Sequence, residues 1–346
     1  MKRTVLVTLA LIIGVFSYSQ SELPKYASSK DAVLKKVKLD MPLEGRKYKN
    51  GTGYSLNPRL LSEMPKKVAL VSFYSFDPGM TKTQIWSVLY GSTTYGGTLV
   101  TTTKITKRNS VGSSGELALG FYMQSISSMI EGFSSFGMDL LLPEEYLDSP
   151  EKTEHYNNFK VERAKFNEWV SNMGSGKHDE IYGYLEGYNV IDVVNEPYQN
   201  YEKSGGRFIT RSKGKVDDNQ VWVMDKCGKM VESLGGLCAK LEVDAIVVVY
   251  FTIFSPKENK VKLQNVNMHM FGPNPTPLPE GKTKKFNYFN GKFYCGTRIN
   301  PEILIWNKTK KDPDSENLNF TGFEYVMQAM TEKMGTYLKE GIEKGK

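Results

Sequence analysis

Lys229 to Phe254 reads KMVESLGGLCAKLEVDAIVVVYFTIF, and this stretch decides the fold class. Met230, Leu234, Leu237, Cys238 and Leu241 recur at steps of 4, 3, 1 and 3, the spacing of one helix face. After Glu242 that period disappears. Ala245 to Phe254 is an unbroken β-branched and aromatic run, the pattern of a strand apolar on both faces. A helix feeding such a strand calls for a sheet covered by helices, an α/β (α+β) fold with a mixed β-sheet. Val68-Ala-Leu-Val-Ser-Phe-Tyr-Ser-Phe76, opened by Lys67 and halted by Asp77-Pro78-Gly79, has the same character. Both runs belong in the middle of one sheet.

Working outward, Lys260 to Met270 alternates. Val261, Leu263, Asn265 and Asn267 face one way, and Lys262, Gln264, Val266 and Met268 the other. Joined through Ser255 to Asn259, it pairs with the preceding strand as an antiparallel ribbon. The prolines of Gly272 to Gly281 demand an extended loop. Asn290-Gly291 between aromatic runs marks a hairpin, and Ile303 to Trp306 a last short strand. Thr321-Gly-Phe-Glu324 opens the closing helix as a capping box, with Phe323, Val326, Met327, Met330, Met334, Tyr337 and Leu338 on its apolar face.

On the amino-terminal side, Ser113-Ser-Gly-Glu116 repeats the capping pattern. Ala118, Tyr122, Ile126, Met129, Ile130 and Phe133 mark the helix face behind it, and Gly137 its end. Met138 to Leu142 reads as a short strand stopped by Pro143. A charged helix is expected from Pro150 to about Met173, and another strand over Gly187 to Val194. Gln84 to Thr106, rich in Thr, Tyr and Gly, reads as an extended hairpin or long loop turning at Gly96-Gly97. A lipid-facing hairpin needs strict alternation over about ten residues per strand, and Gly91 and the Thr runs interrupt it.

Residues 1–19 form an expected signal peptide. Lys2 and Arg3 precede an apolar stretch, Thr4 to Phe16, too short to span a bilayer, and Ser17-Tyr18-Ser19 offers small residues for cleavage before Gln20. The expected organisation is then an extended polar segment over 20–66 and a single α/β domain over 67–346, with insertions at about 80–112 and 195–222. No later segment reaches transmembrane length, so export places the protein in the periplasm, at the outer membrane or beyond. Hydrophobic content of 40% and charged content of 24% are those of a globular protein. The formal charge is +7, or about +5 without Lys2 and Arg3, which is mild. The lysine blocks at 282–285 and 308–311 sit beside turn residues, where solvated loops account for them, and no nucleic-acid-binding motif accompanies them.

Three cysteines, Cys227, Cys238 and Cys295, cannot complete a disulfide framework. Cys238 lies on the apolar helix face. Cys227 is about 16 Å away along that helix, beyond bridging distance, which leaves a pairing of Cys295 open. The motif with most chemical content is Asn195-Glu196-Pro197 after an apolar run, which resembles the acid/base strand end of the glycosidases built on (β/α)₈ barrels. There Glu196 would protonate the leaving oxygen, with a second carboxylate about 5 to 5.5 Å away. Glu324, at the right remove, sits in a helix cap, and the strand–helix alternation is too irregular for eight units. His155, His178 and His269 have no partner at metal-ligand spacing. The serines of Gly112-Ser-Ser-Gly115 lack a nucleophile frame, and Gly235-Gly236 lies inside a helix face rather than in a phosphate-binding loop. The reading assigns no catalytic, cofactor-binding or metal residue, Glu196 standing only as the alternative.

The order of these pieces resembles the α/β domain of the curli secretion-channel (CsgG-like) family and the amino-terminal domain of TolB. The resemblance rests on the strand Lys67-Val-Ala-Leu-Val-Ser-Phe, the short strand before Pro143-Glu-Glu, and Ala239-Lys-Leu-Glu-Val-Asp-Ala-Ile246 leading into a paired ribbon and a closing helix. It spans roughly residues 67 to 345. The two insertions depart from the pattern, as does the lack of a cysteine after the apolar run. The resemblance implies a non-catalytic envelope protein working through assembly, secretion or protein partners, a homo-oligomer included, with no nucleic-acid partner and no cofactor. An oligomeric outer-membrane pore subunit and an exported glycoside hydrolase are the alternatives.

Overall fold

The computed structural model describes residues 27–39, 63–76, 81–90, 98–107, 115–161, 182–191, 193, 224–257, 260–273, 292–301, 303–307 and 318–345. At its centre is an eight-stranded mixed sheet. Its strands are β1 (Lys38–Leu39), β2 (Lys67–Phe76), β5 (Asp139–Leu141), β6 (Tyr182–Tyr184), β7 (Ala245–Lys257), β8 (Lys260–Pro273), β9 (Lys292–Ile299) and β10 (Ile303–Asn307). Between β2 and β5 in the chain, β3 (Thr81–Tyr90) and β4 (Thr98–Lys107) form a separate two-stranded sheet. The main order is β1-β9-β8-β7-β2-β5, with β6 added on β2 and β10 on β8. β2 runs parallel to β5 and β7, and β7, β8 and β9 follow one another antiparallel. Val68–Phe76 and Ala245–Phe254 are thus adjacent inner strands, and residues 68–75 and 245–253 are buried because helices cover each face.

The helices are α1 (Lys30–Leu34), α2 (Gly115–Ser134), α3 (Pro143–Tyr146), α4 (Pro150–Asn157), α5 (Met224–Leu241) and α6 (Phe323–Gly345). α2 and α6 bury Phe121, Met129, Phe133, Met327, Met330 and Met334 against Val68, Leu70, Val247, Val249 and Phe251. On the opposite face Val231, Leu234, Leu237, Cys238 and Leu241 of α5 pack on Ala69, Val71, Ile246 and Val248. Glycines set the closeness of α2 and α6: a Cβ on Gly132 would meet the Thr331 side chain, and one on Gly335 would lie 2.4 Å from the Phe136 ring. Asp244, in the turn between α5 and β7, ties the sheet together. Its Oδ2 accepts the amides of Lys66 and Lys67, each at 2.9 Å, and its own amide donates to the Lys67 carbonyl.

Two bulges reset the faces in ways the alternation could not foresee. Leu70 pairs with Val247 but Ser72 with Val248, so Val71 is extra in β2. In β8, Leu263 pairs with Ile253 and Asn265 with Thr252, so Gln264 is extra. Each extra residue inverts the in–out sense beyond it. Val261 and Leu263 therefore share their core with Val266, Met268 and Met270 rather than with Asn265 and Asn267.

Four further expectations need correction. Residues 20–66 are not all a polar extension: within them Val33 and Val37 join the core, and Lys38 and Leu39 pair with Arg298 and Thr297. The charged helix expected to reach about Met173 stops at Asn157, where Asn158 caps it. Gly187 to Val190 is no strand. Gly187 adopts a left-handed turn at φ 86°, and the short strand lies just before it at Tyr182–Tyr184. Finally, Phe121, not Ile130, centres the buried face of α2, while Ile130 is exposed. Residues 1–19, 195–222 and the Asn290-Gly291 turn lie outside the described residues.

Candidate functional site

Three arrangements outside ordinary core packing present themselves. The first is the β3–β4 hairpin. Its register runs without a slip from Thr81 opposite Lys107 to Tyr90 opposite Thr98, so the stretch expected as a hairpin or long loop is a hairpin. Each strand has 10 residues, about 33 Å at 3.3 Å per residue. Between Lys82 and Lys104 the sequence carries no charged residue. Among the described residues each strand pairs only with the other.

The second is a polar strip on the α5-facing side of the ribbon. Because of the bulge at Gln264, Asn265, Asn267 and His269 turn to one side, all buried. Thr252 opposes Asn265, Tyr250 opposes Asn267, and Asn267 opposes Arg298. The rings of Tyr74, Tyr250, His269 and Tyr294 stack across four strands, with successive centroids 5.5, 5.5 and 5.6 Å apart. His269 Nδ1 lies 2.7 Å from the Tyr294 hydroxyl. Burial, and secondarily the charge of Arg298, pushes the His269 pKa down to about 3, so the ring is neutral at physiological pH. Its Nε2, the Asn265 Oδ1 and the Thr252 Oγ1 are buried without a hydrogen-bond partner. A neutral imidazole in a ring stack with no carboxylate to orient it acts as a packing element rather than a proton shuttle.

The third concerns the carbonyls freed by the bulge in β2. Tyr156 of α4 donates to the Val71 carbonyl at 2.6 Å and accepts the Asn189 amide at 2.8 Å. Tyr146 of α3 donates to the Leu70 carbonyl at 3.3 Å. Ser72 Oγ donates to the Asn189 carbonyl at 2.7 Å and accepts the Ile191 amide at 2.9 Å. Burial holds both phenols above their ordinary range, so they remain protonated donors. This network locks the segment before Ile191 to the strand from which the hairpin departs.

Other sequence candidates fall apart in space or lie elsewhere. Glu196, His178 and the serines at 113 and 114 lie outside the described residues. Glu324 is in the first turn of α6. His155 is partly exposed on α4, with Nε2 3.6 Å from Glu151. Cys238 and Cys295 form no disulfide and are packed in the clusters on opposite faces of the sheet, so the pairing left open for Cys295 is not made. Among the described residues no group of three His, Cys, Asp or Glu side chains could hold a metal ion, and no helix is long and apolar enough to cross a membrane. A groove of about 510 Å³ between α1, α2 and α6 is lined by Lys30, Ser128, Glu131, Ser135, Gln328 and Glu332. Its one clear charge pair, Lys30 with Glu332, is internally neutralised. The sequence reading missed the polar strip, because the bulge hides it, and it placed Ile130, which is exposed, on the buried face of α2.

No family model matches the chain, and comparison with curated proteins and with solved structures gives no match.

Proposed function

We propose that this is an exported, non-catalytic protein of the cell envelope that works by assembly and by binding protein partners. The observation that carries this reading is the β3–β4 hairpin, whose two strands pair with no other strand among the described residues. An open, regular strand edge is a row of unpaired amides and carbonyls, a template for another chain. Most proteins blunt such edges with prolines, bulges or inward charges. Here the pairing is unbroken, and no proline or charge interrupts the span between Lys82 and Lys104.

The same span favours a second reading, a subunit of an oligomeric outer-membrane pore. Strands of about 9 to 11 residues suit a bilayer, and β3 and β4 have 10 each. Closure of hairpins from several copies would satisfy every edge.

Native mass spectrometry of the mature chain, in buffer and in detergent, tests assembly, and Val88→Pro is the matched variant because proline removes a ladder donor. Oligomers from the parent and monomers from Val88→Pro, with equal core stability, are the expected result. A parent that stays monomeric in both media, and captures no envelope protein, sinks the reading. Conductance across proteoliposomes separates a pore from a scaffold. A hydrolytic activity lost in a stably folded Glu196→Ala variant would establish the glycosidase alternative instead.

A further inference from the structure

Ser128, Gly132 and Ser135 follow one another at steps of 4 and 3, and Gln328, Glu332 and Thr336 at steps of 4. Each set therefore lies along one side of its helix. Both sets line the groove of about 510 Å³, to which α1 adds Lys30. Small residues keep the two helices close there: a Cβ on Gly132 would already meet the Thr331 side chain. Phe136, packed against Gly335, adds a ring to the lining. The volume is within the range of about 300–1,000 Å³ of small-molecule sites.

Two features of the lining call for a ligand. The first is Ser128, which is only 7% exposed and borders the groove. Neighbouring helix hydroxyls are taken up by carbonyls: Ser125 donates to Phe121, Ser135 to Gly132 and Thr331 to Met327. Among the described residues Ser128 makes no such bond, and a hydroxyl drawn out of water needs a partner. The second is charge. Lys30 pairs with Glu332, whereas Glu131 has no cation beside it among the described residues. One cation against two carboxylates leaves the groove with one negative charge.

That charge selects the ligand. An anion would find its only counter-ion, Lys30, already engaged. A metal ion finds no group of three His, Cys, Asp or Glu side chains among the described residues. An organic cation remains, with Ser128, Thr336 and the Gln328 amide to meet hydroxyls around it. Ser128 and Glu131 are three apart on α2, about 5–6 Å between Cβ atoms, so one small molecule reaches both. We propose that this groove binds a small hydroxylated primary ammonium compound of the amino-sugar class, its ammonium on Glu131 and a hydroxyl on Ser128. Binding there needs a single copy of the chain and is separate from the assembly proposed above.

Saturation-transfer NMR on the full mature chain at pH 6 reads this binding, with glucosamine as the probe and N-acetylglucosamine as its uncharged match. Glucosamine receives saturation, and N-acetylglucosamine binds about two- to fivefold more weakly, the worth of one exposed ion pair. Glu131→Gln, at an exposed position, weakens glucosamine by the same factor and abolishes the preference. Ser128→Ala weakens both sugars, with an unchanged melting temperature showing that the variant folds. Lys30→Gln frees Glu332 and strengthens glucosamine binding, an increase that lost packing would not produce. The inference is overturned if glucosamine receives no saturation or if N-acetylglucosamine binds equally well. It is overturned too if Glu131→Gln or Ser128→Ala binds like the parent, or if Lys30→Gln binds no more tightly.

Discussion

Tyr156→Phe removes one oxygen and nothing else. The ring stays in its pocket, so no cavity term arises, and the effect comes from hydrogen bonds alone. Two backbone groups lose a partner: the Val71 carbonyl, in a residue with no exposure, and the Asn189 amide, in a half-buried one. A buried polar group left unpaired costs about 1–3 kcal/mol. The Val71 carbonyl lies at the upper part of that range and the Asn189 amide at the lower, where water can reach it. The expected total is about 2–4 kcal/mol. Tyr146→Phe is the comparison: its 3.3 Å bond to the Leu70 carbonyl is long, its hydroxyl otherwise meets that of Tyr156, and the loss costs about 1 kcal/mol. Urea unfolding followed by circular dichroism gives both numbers as midpoint shifts at constant slope. A Tyr156→Phe variant within about 0.5 kcal/mol of the parent, or one no worse than Tyr146→Phe, refutes the idea that the phenols satisfy the bulge in β2.

Other outcomes follow from the same structure. Asp244→Ala, which strips the acceptor from the Lys66 and Lys67 amides, destabilises by about 1–2 kcal/mol, and Asp244→Asn by less, in the same unfolding assay. His269 is held neutral with a pKa near 3, whereas the unfolded chain titrates near 6.5. Between those values the unfolded state binds the extra proton, so stability falls as pH drops, at up to about 1.4 kcal/mol per pH unit. His269→Gln removes that part of the slope, read from unfolding free energies at pH 4.5 and pH 7. Gly335→Leu drives a side chain into Phe136 and costs about 1–3 kcal/mol through overpacking of α2 against α6. A thiol-reactive dye leaves Cys238 and Cys295 unlabelled in the native state and labels them in denaturant, since both are buried and outside any disulfide.

Much of the architecture was legible along the chain because it depends on local period. The apolar runs at 68–76 and 245–254 could be stable only between helices, and they lie side by side in the sheet's interior. The spacing of Leu234, Leu237, Cys238 and Leu241 and that of Phe323 to Leu338 marked two amphipathic helices, and the structure lays α5 over one face and α6 over the other. Period fails where one residue is inserted. The extra Gln264 sends Asn265, Asn267 and His269 to the α5 side, and nothing in the composition of β8 marks that residue as the bulge. The amino-terminal segment failed for a different reason. Val33 and Val37 are too few to signal burial, and only the carboxy-terminal helix and β9, brought beside them by the fold, give them something to pack against.

Residue order alone therefore determined the helix-covered sheet and its long, strongly periodic elements, β2, β7, α5 and α6. Tertiary structure decided the surfaces. Leu119 and Met123 have the same chemistry as their buried neighbours Leu117 and Phe121. Their exposure follows from where α6 happens to lie against α2, a matter of packing geometry that no short-range pattern encodes. The hairpin divides the same way. Its strand-forming residues are local, but its separation from the main sheet is a tertiary fact: among the described residues β3 and β4 pair only with each other.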